Sequence, residues 1–437
     1  MGKKIELALL SLTIALTVPN ISIAGGLFLS EFGTEDVALA GAGWAARAQD
    51  ASTLFKNPAG MSRIEGNQFQ GGLQALYFQG GFEGTNTQWG GNGGGNPVGV
   101  VPGASGFYVT SLGKDVKVGL GMLNNFGLGL QYEQGFAGRY YVKQATLAGI
   151  TFAPVASVRV TEKWSIGGGP NVMLGILRFT SNINNLLPPG AGDGQLEVKD
   201  TTAGVGGQFG IMFEPQEGSR IGVTYYSPIK LKFSDTPAFS NLGTIGTALQ
   251  NNGLLNRNID LGFTVPQRVI VSGYHELTDR LALMGNFGWD NWSQFGEVEV
   301  SVNTQNPTSL TTVSNYKDTY HVAIGGQYRL NPEWLLNSGF AYDSSMVSAA
   351  NRQLALPVGA TYKYGLGANW LMNPRVKLGF SYELSYMGDM SVSQNRGPLA
   401  GQVTGEYKDA MMHFFAFTLN WGSEGVTFGP GGGQNPS

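Results

Sequence analysis

Large apolar side chains alternate with small or polar ones along most of this chain. Between residues 376 and 386 the apolar positions are Val376, Leu378, Phe380, Tyr382, Leu384 and Tyr386. Near the C-terminus the same spacing recurs at Phe415, Phe417, Leu419 and Trp421. A period of two places alternate residues on opposite faces of a β-strand. One face of these strands is almost purely apolar, which predicts contact with lipid.

The alternation predicts fourteen strands, and we interpret them as one antiparallel transmembrane β-barrel. The chain length of 437 residues suits a single large barrel. The predicted strands cover residues 66–82, 104–112, 116–130, 140–160, 164–180, 195–214, 219–234, 258–276, 280–302, 315–330, 333–345, 358–372, 375–392 and 405–422.

The connections between the predicted strands alternate between short turns and long loops. Short turns such as residues 161–163 and 373–375 contrast with long links such as 80–103 and 234–257. Barrels of outer membranes have short turns on the periplasmic side and long loops outside. Trp164, Trp334 and Trp370 near strand ends fit an interfacial aromatic girdle. A water-soluble sandwich also shows alternation, but it does not account for an apolar face on all the hairpins.

The first residues resemble an export signal, and the rest of the chain divides by composition. Basic residues at positions 3 and 4 precede an apolar run over residues 7–18 and a small-x-small site at residues 22–24, which predicts cleavage before Gly25. We therefore expect a signal peptide at 1–24, a plug at 25–65, the barrel at 66–422 and a tail rich in Gly and Pro at 423–437.

Composition supports this division and excludes several classes of function. Charged residues make up 13% of the chain, against about 25% in an ordinary soluble domain. The net charge of −3 offers no basic surplus for nucleic acid, so we expect no nucleic-acid partner. The chain has no cysteine, which removes disulfides and thiolate metal sites. We expect no cofactor and no metal.

A barrel of fourteen strands is too wide for its own side chains to fill. Its lumen must hold water, a ligand or a plug. The segment 25–65 is rich in Ala and Gly, and about 40 residues is long for a mere connection in a compact domain. We therefore interpret it as a plug, or hatch, inside the barrel.

Several short stretches resemble the FadL/TodX family of outer-membrane transporters for long-chain fatty acids and other hydrophobic compounds. They are residues 26–32 (GLFLSEF), 57–61 (NPAGM), 125–128 (NFGL), 138–140 (GRY) and 289–295 (WDNWSQF). The likeness extends from about Gly26 to Trp421. The chain departs from the family after Trp421, because the family's terminal strand residue is followed here by some fifteen further residues.

The resemblance implies a fourteen-stranded barrel in the outer membrane of a Gram-negative bacterium, closed by an N-terminal hatch. It places the hatch turn at Asn57, Pro58, Ala59, Gly60 and Met61. It also implies an inward kink in the third strand that leaves a lateral gap in the wall, and the residues of this kink are Asn125, Phe126, Gly127 and Gly129. Glycine suits a kink because it allows unusual dihedral angles. The alternative is a bulge that only shapes the barrel.

We expect passive transport of a hydrophobic small molecule. Outer loops would capture it, a lumenal pocket would bind it, and hatch movement would release it sideways into lipid. The candidate capture residues are Phe239, Leu242, Ile245, Leu249, Leu254 and Leu255. Their spacing is compatible with a short amphipathic helix or with loop packing. Lys363 and Arg268 are candidate partners for a cargo carboxylate, or else members of paired charge clusters.

Two other functions share part of this pattern. A general diffusion porin has a barrel but uses an acidic constriction loop and no N-terminal hatch. A lipid hydrolase needs a nucleophile and a base, yet His275, His321 and His413 lie on separate strands and no Gly-x-Ser-x-Gly motif occurs. We therefore expect no catalytic residues. The expected partners are the cargo, outer-membrane lipid and lipopolysaccharide, and the barrel-assembly machinery, with the family suggesting a monomer.

Overall fold

The fold was analysed in a computed structural model that describes residues 27–29, 31–185, 192–255, 257–302 and 308–431. The expected signal peptide at residues 1–24 and the end of the tail, from residue 432 onwards, lie outside the described residues. Over the described part of the chain most residues lie in β-strands, and four short α-helices occur. No helix within those ranges is both long and apolar enough to cross a membrane.

The strands are β1 (Gln68–Thr87), β2 (Val100–Ser111), β3 (Val116–Gln131), β4 (Gln144–Arg159), β5 (Trp164–Ile183), β6 (Gly194–Gln216), β7 (Ser219–Tyr226), β8 (Ile229–Asp235), β9 (Ala238–Ser240), β10 (Ile259–Val265), β11 (Arg268–Thr278), β12 (Leu281–Asp290), β13 (Glu297–Val302), β14 (Thr308–Val313), β15 (Thr319–Arg329), β16 (Trp334–Asp343), β17 (Thr361–Asn373), β18 (Val376–Asn395) and β19 (Gln402–Gly422). The helices are α1 (Thr53–Lys56), α2 (Thr244–Asn251), α3 (Trp292–Phe295) and α4 (Gly397–Ala400), and 3₁₀ turns occur at Glu35–Val37, Pro58–Arg63 and Ala349–Asn351.

Fourteen of these described strands form one closed antiparallel barrel. Their order is β5, β4, β3, β2, β1, β19, β18, β17, β16, β15, β12, β11, β7 and β6, and β6 pairs with β5 again. The alternation predicted which side chains face lipid: Phe380 and Phe415 are exposed, whereas Lys377 and Glu383, at the polar positions of β18, are buried. The predicted fold class, a fourteen-stranded barrel, is therefore confirmed.

Three predicted strands are wrong as continuous strands. Residues 219–234 and 258–276 are each broken, between β7 and β8 and between β10 and β11. Pro228 and Pro266 lie at these breaks, and a proline cannot donate to a strand ladder. Residues 280–302 are interrupted by α3. The outer parts of these three segments, with β14, form a separate four-stranded sheet in the order β14, β13, β10 and β8.

The apolar face of this small sheet is buried. In β8 and β10 it carries Leu231, Phe233, Leu261 and Phe263, which belong to the main hydrophobic cluster of the protein. The chain thus bends away from the barrel wall above β7, β11 and β12. These segments thereby contribute apolar side chains to the main hydrophobic cluster.

The chain continues past β19 and folds back along the end of the barrel that carries the short turns. The Ser423 amide donates to the Asn67 carbonyl oxygen at 2.8 Å, and the Gly431 amide donates to the Glu276 side chain at 3.0 Å. Between these anchors Phe428 is buried, and its carbonyl oxygen accepts a hydrogen bond from Arg329. Nine residues reach about 30 Å when extended. The tail therefore extends from the β1 side of the rim to the β11 side.

Candidate functional site

A continuous segment of the N-terminal region fills the barrel lumen. Every residue from Glu31 to Met61 is buried. Wall side chains bind its backbone: Gln208 donates to the Leu54 carbonyl oxygen at 3.0 Å, and Thr224 donates to the Lys56 carbonyl oxygen at 2.8 Å. Such bonds satisfy backbone groups that have no secondary structure of their own. We refer to residues 31–64 as the plug segment.

A buried ionic cluster holds the plug segment together. Arg47 pairs with Glu35 at 2.8 Å, with Asp50 at 3.0 Å and with Asp36 at 3.3 Å. Lys56 pairs with Asp36 at 2.8 Å, and Lys377 of β18 pairs with Glu35 at 2.6 Å. Burial by itself raises the pKa of the Asp36 and Asp50 carboxyl groups, but the neighbouring cations outweigh it and lower the pKa of both. Three cations thus balance three carboxylates and tie the plug to the wall.

The predicted hatch turn lies against β5 and β6. The Asn57 side chain accepts a hydrogen bond from the Ala59 amide at 3.1 Å and donates to the carbonyl oxygens of Ala45 and Ile211 at 2.7 and 3.0 Å. Gly60 is required there, because a β-carbon would lie 2.7 Å from a methyl carbon of Thr53. Met61 lies beside Gly119 of β3, where a β-carbon would be 3.1 Å from the Met61 sulfur atom. The role of the turn as the moving part of the hatch stays a prediction.

The third strand is irregular where the kink was predicted. Its register against β4 shifts between Asn124 and Phe126. Gly127 has a φ of +148°, and a β-carbon there would lie 2.8 Å from the Cα atom of Ala148, so only glycine fits without strain. Gly129 has open space around its α-carbon and an ordinary φ, so the geometry does not require glycine there.

Beside this irregularity the hydrogen-bond ladder between β2 and β3 has a gap, which we call the window. The β2–β3 ladder runs from Ser111 and Lys117 to Ser105 and Leu123 and then stops. Beyond that point β2 pairs with β1 alone and residues 124–131 of β3 pair with β4. The upper limit of the window is a hydrogen bond of 2.6 Å from the Gln131 amide to the carbonyl oxygen at position 97.

The segment Leu27–Leu29 occupies the edge of β3 that β2 has left. The Leu29 amide donates to the Asn125 carbonyl oxygen at 2.9 Å, and the Gly127 amide donates to the Leu27 carbonyl oxygen at 2.9 Å. The Phe28 ring lies edge-on to the Phe126 ring, with 5.9 Å between centroids. We call these three residues the seal segment. They belong to the stretch 26–32 that resembles the FadL/TodX family, but the sequence analysis assigned them no role.

A cavity lies directly behind the window. It holds about 220 Å³ of space. Most of the lining is apolar: Phe28, Leu29, Trp44, Leu76, Phe78, Val98, Val101, Phe126, Leu128, Leu130, Ile270, Met387, Met412 and Phe414. Val101 and Leu128 flank the window itself, so the cavity extends to the gap in the wall.

One end of the cavity is charged and contains both predicted carboxylate partners. Lys363 on β17 pairs with Glu31 at 2.7 Å and with Asp343 at 3.2 Å. Asp343 also contacts the Nδ1 atom of His321. Arg268 on β11 pairs with the Asp290 carboxylate at 2.7 Å. Both cations are therefore members of ion pairs at the cavity surface, and the sequence did not reveal their acidic partners.

The planar guanidinium of Arg268 also connects the wall to the N-terminal region. Its central carbon lies 4.8 Å from the ring centroid of Phe28 and 5.9 Å from that of Trp44. Cation–π contacts of this kind are strengthened when water is excluded. Arg268 therefore contacts the seal segment, the plug segment and the cavity at once.

The candidate capture residues lie in the loops between β8 and β10. Residues 244–251 form α2, and Ile245 on it is 57% exposed. Phe239 lies in β9 against the main apolar cluster, and Leu255 is buried. Leu242, Leu249 and Leu254 are half-buried. The structure thus places the apolar side chain of Ile245 on an exposed helix, whereas Leu255 is packed in the interior.

The model of the family described as outer membrane protein transport protein (OMPP1/FadL/TodX) matches residues 15–421. Outer membrane protein P1 of Haemophilus influenzae is 27% identical over 87% of this chain and 90% of its own length. The long-chain fatty acid transport protein of Escherichia coli K12 is 25% identical over 86% of this chain and 90% of its own length.

Solved structures show the same fold. A FadL homologue of Pseudomonas aeruginosa has a TM-score of 0.81 at 20% identity, covering 91% of this chain and 99% of the other. The toluene transporter TodX of P. putida has a TM-score of 0.64 at 16% identity, covering 89% and 99%. The predicted family and the outer-membrane location are thereby confirmed. With its plugged barrel and its match over residues 15–421, this chain belongs to the outer membrane protein transport protein family (OMPP1/FadL/TodX).

Proposed function

We propose that this protein carries hydrophobic small molecules passively across the outer membrane. The observation that supports this most strongly is the apolar cavity that opens onto the gap between β2 and β3. A cargo gains about 0.8 kcal/mol for each methylene group that leaves water. Lipid is therefore a favourable destination, and no energy source is required for a sideways exit. Relatives named as long-chain fatty acid transport proteins and toluene transporters indicate the class of cargo.

The steps of transport follow the arrangement of the apolar surfaces. Cargo first adsorbs to the exposed helix α2 and neighbouring loops, and then moves into the cavity. A carboxylate head group, where the cargo has one, lies near Lys363 and Arg268. Displacement of the seal segment and movement in the hatch around Asn57 then open the window to the bilayer. Each of these residue roles is part of the proposal.

The proposal excludes a diffusion porin and an enzyme as the main function. The plug segment fills the lumen where a porin needs water, and the family consists of transport proteins. We infer that the protein acts as a monomer surrounded by lipid and lipopolysaccharide after insertion by the barrel-assembly machinery.

The test compares cargo uptake with leakage of hydrophilic solutes. Proteoliposomes containing the protein should take up a fluorescent long-chain fatty acid or toluene, and they should exclude glucose-sized sugars. Removal of residues 25–65 should leave an inserted barrel that passes sugars and conducts ions. Sugar permeation through the intact protein, or unchanged conductance after the removal, would contradict a plugged transporter.

A further inference from the structure

A carboxylate of the protein itself occupies the charged end of the cavity. Glu31 is only 2% exposed, and its side-chain oxygen lies 2.7 Å from the ammonium nitrogen of Lys363. Both residues line the cavity. Glu31 therefore presents to Lys363 the same chemical group that a fatty acid anion would present.

Glu31 lies close in sequence to the residues that cover the window. Leu29, two positions earlier, donates its backbone amide to the Asn125 carbonyl oxygen on β3. Two residues span about 7 Å at most. The ion pair in the cavity and the hydrogen bonds on the kinked strand therefore belong to one short stretch of chain. Movement of Glu31 away from Lys363 would pull directly on the seal segment.

The charges around Lys363 favour replacement of the Glu31 carboxylate by a cargo carboxylate over binding of both together. Lys363 already contacts Glu31 and Asp343, and His321 contacts the same Asp343. A further carboxylate placed beside them would crowd three acidic groups around one ammonium in a poorly solvated site. A cargo anion is accommodated at lower cost when Glu31 leaves. A neutral cargo carries no charge to exchange.

We propose that Glu31 is a tethered stand-in for the cargo head group, and that an anionic hydrophobic cargo opens the window by displacing Glu31 from Lys363. This inference rests on the proposed transport function and adds a trigger to it. A ligand shifts a conformational equilibrium only if it binds one state better than the other. A carboxylate meets this condition because its site on Lys363 is vacant only when Glu31 has moved.

The absence of cysteine allows a direct measurement of seal movement. In a Leu29→Cys protein, the rate of maleimide labelling reports how often the seal segment leaves β3. Oleate and methyl oleate supply the same chain with and without a negative charge. Saturating oleate should raise the labelling rate at least about tenfold, because the seal segment then lacks the buried ion pair at Glu31. Methyl oleate should leave the rate close to that of the cargo-free protein.

Two charge variants in the Leu29→Cys background separate the trigger from general loosening. Glu31→Gln should label rapidly without cargo and should no longer respond to oleate. Asp343→Asn removes the same charge from Lys363 but lies on the wall, so it should label slowly and still respond. Should Glu31→Gln fail to assemble, Lys363→Gln removes the other member of the pair and should give the same fast labelling.

The outcomes distinguish the trigger from the transport function. The trigger would be overturned if oleate and methyl oleate changed the labelling rate equally, or if an assembled Glu31→Gln or Lys363→Gln protein were labelled slowly. In either case, uptake of both compounds would still support the transport function. Failure of the unmodified protein to take up either compound would instead refute the proposed function.

Discussion

The ionic cluster of the plug segment predicts a large and selective effect of Arg47→Met. The Arg47 side chain is 1% exposed and contacts three carboxylates at 2.8 to 3.3 Å. Methionine keeps an unbranched stem but removes the charge, which leaves three carboxylates opposite Lys56 and Lys377 alone. Breaking a buried ion pair in this way costs about 3–5 kcal/mol. Because 1.4 kcal/mol is a factor of ten, the plug should open roughly a hundredfold to a few thousandfold more often.

Hydrogen exchange of the plug amides, followed by mass spectrometry, measures this opening. Peptides from residues 35–64 should lose protection by the stated factor, while the barrel strands keep theirs. Arg63→Met is the matched control, since Arg63 pairs with Glu214 at a partly exposed site and such pairs contribute about 0–1 kcal/mol. Equal loss of protection in the two variants, or none in Arg47→Met, would refute the reasoning.

Further expectations concern pH, the kink in β3, the helix α2 and the C-terminal tail. Folding lowers the pKa of Asp36 and of Asp50. The stability that these two carboxylates add to the fold is therefore complete above their ordinary pKa of 3.8 and is lost as the pH falls below it. Hydrogen-exchange protection of the plug amides should stay constant from about pH 7 to pH 5 and decline in stronger acid. Gly127→Val should distort β3 against β4 and slow cargo uptake, whereas Gly129→Val, which adds a side chain in open space, should change uptake less. Ile245→Glu should lower uptake at limiting cargo while conductance stays near zero. Deletion of the residues after Gly422 should expose the rim that carries the short turns. Proteases should then cleave these turns faster, and a cleavage rate equal to that of the full chain would contradict the observed anchoring.

The backbone groups of β3 at the gap between β2 and β3 are hydrogen-bonded to the seal segment. Each residue of β3 has only one backbone amide and one carbonyl group to offer to its neighbours. Where the strand leaves β2, the seal segment takes over bonds at Asn125 and Gly127. The wall therefore stays hydrogen-bonded in lipid, where an unsatisfied backbone group is costly.

The strand pattern, the barrel and its outward face were predictable from the sequence. A lipid-facing strand carries its signal locally, in every second residue, so neither pairing partner nor register is needed to detect it. Pro228 and Pro266 are the sequence signals for the two strand breaks. The alternation continues on both sides of each proline, so the strands were predicted as continuous. The irregularity of β3 lies where the family resemblance implied a kink, and residues 244–251 form a helix where the spacing allowed either a helix or loop packing.

The contacts that make the site were decided by the tertiary structure. Glu31 and Lys363 are 332 residues apart in the chain, and Lys377 and Arg47 meet the same Glu35 from opposite ends of the sequence. Charges have no periodic signature that identifies a partner at such a distance, and only closure of the barrel around the plug brings them together. The sequence by itself therefore determined that an apolar cylinder spans the membrane, whereas three-dimensional closure determined which charges line its cavity and which segment covers its window.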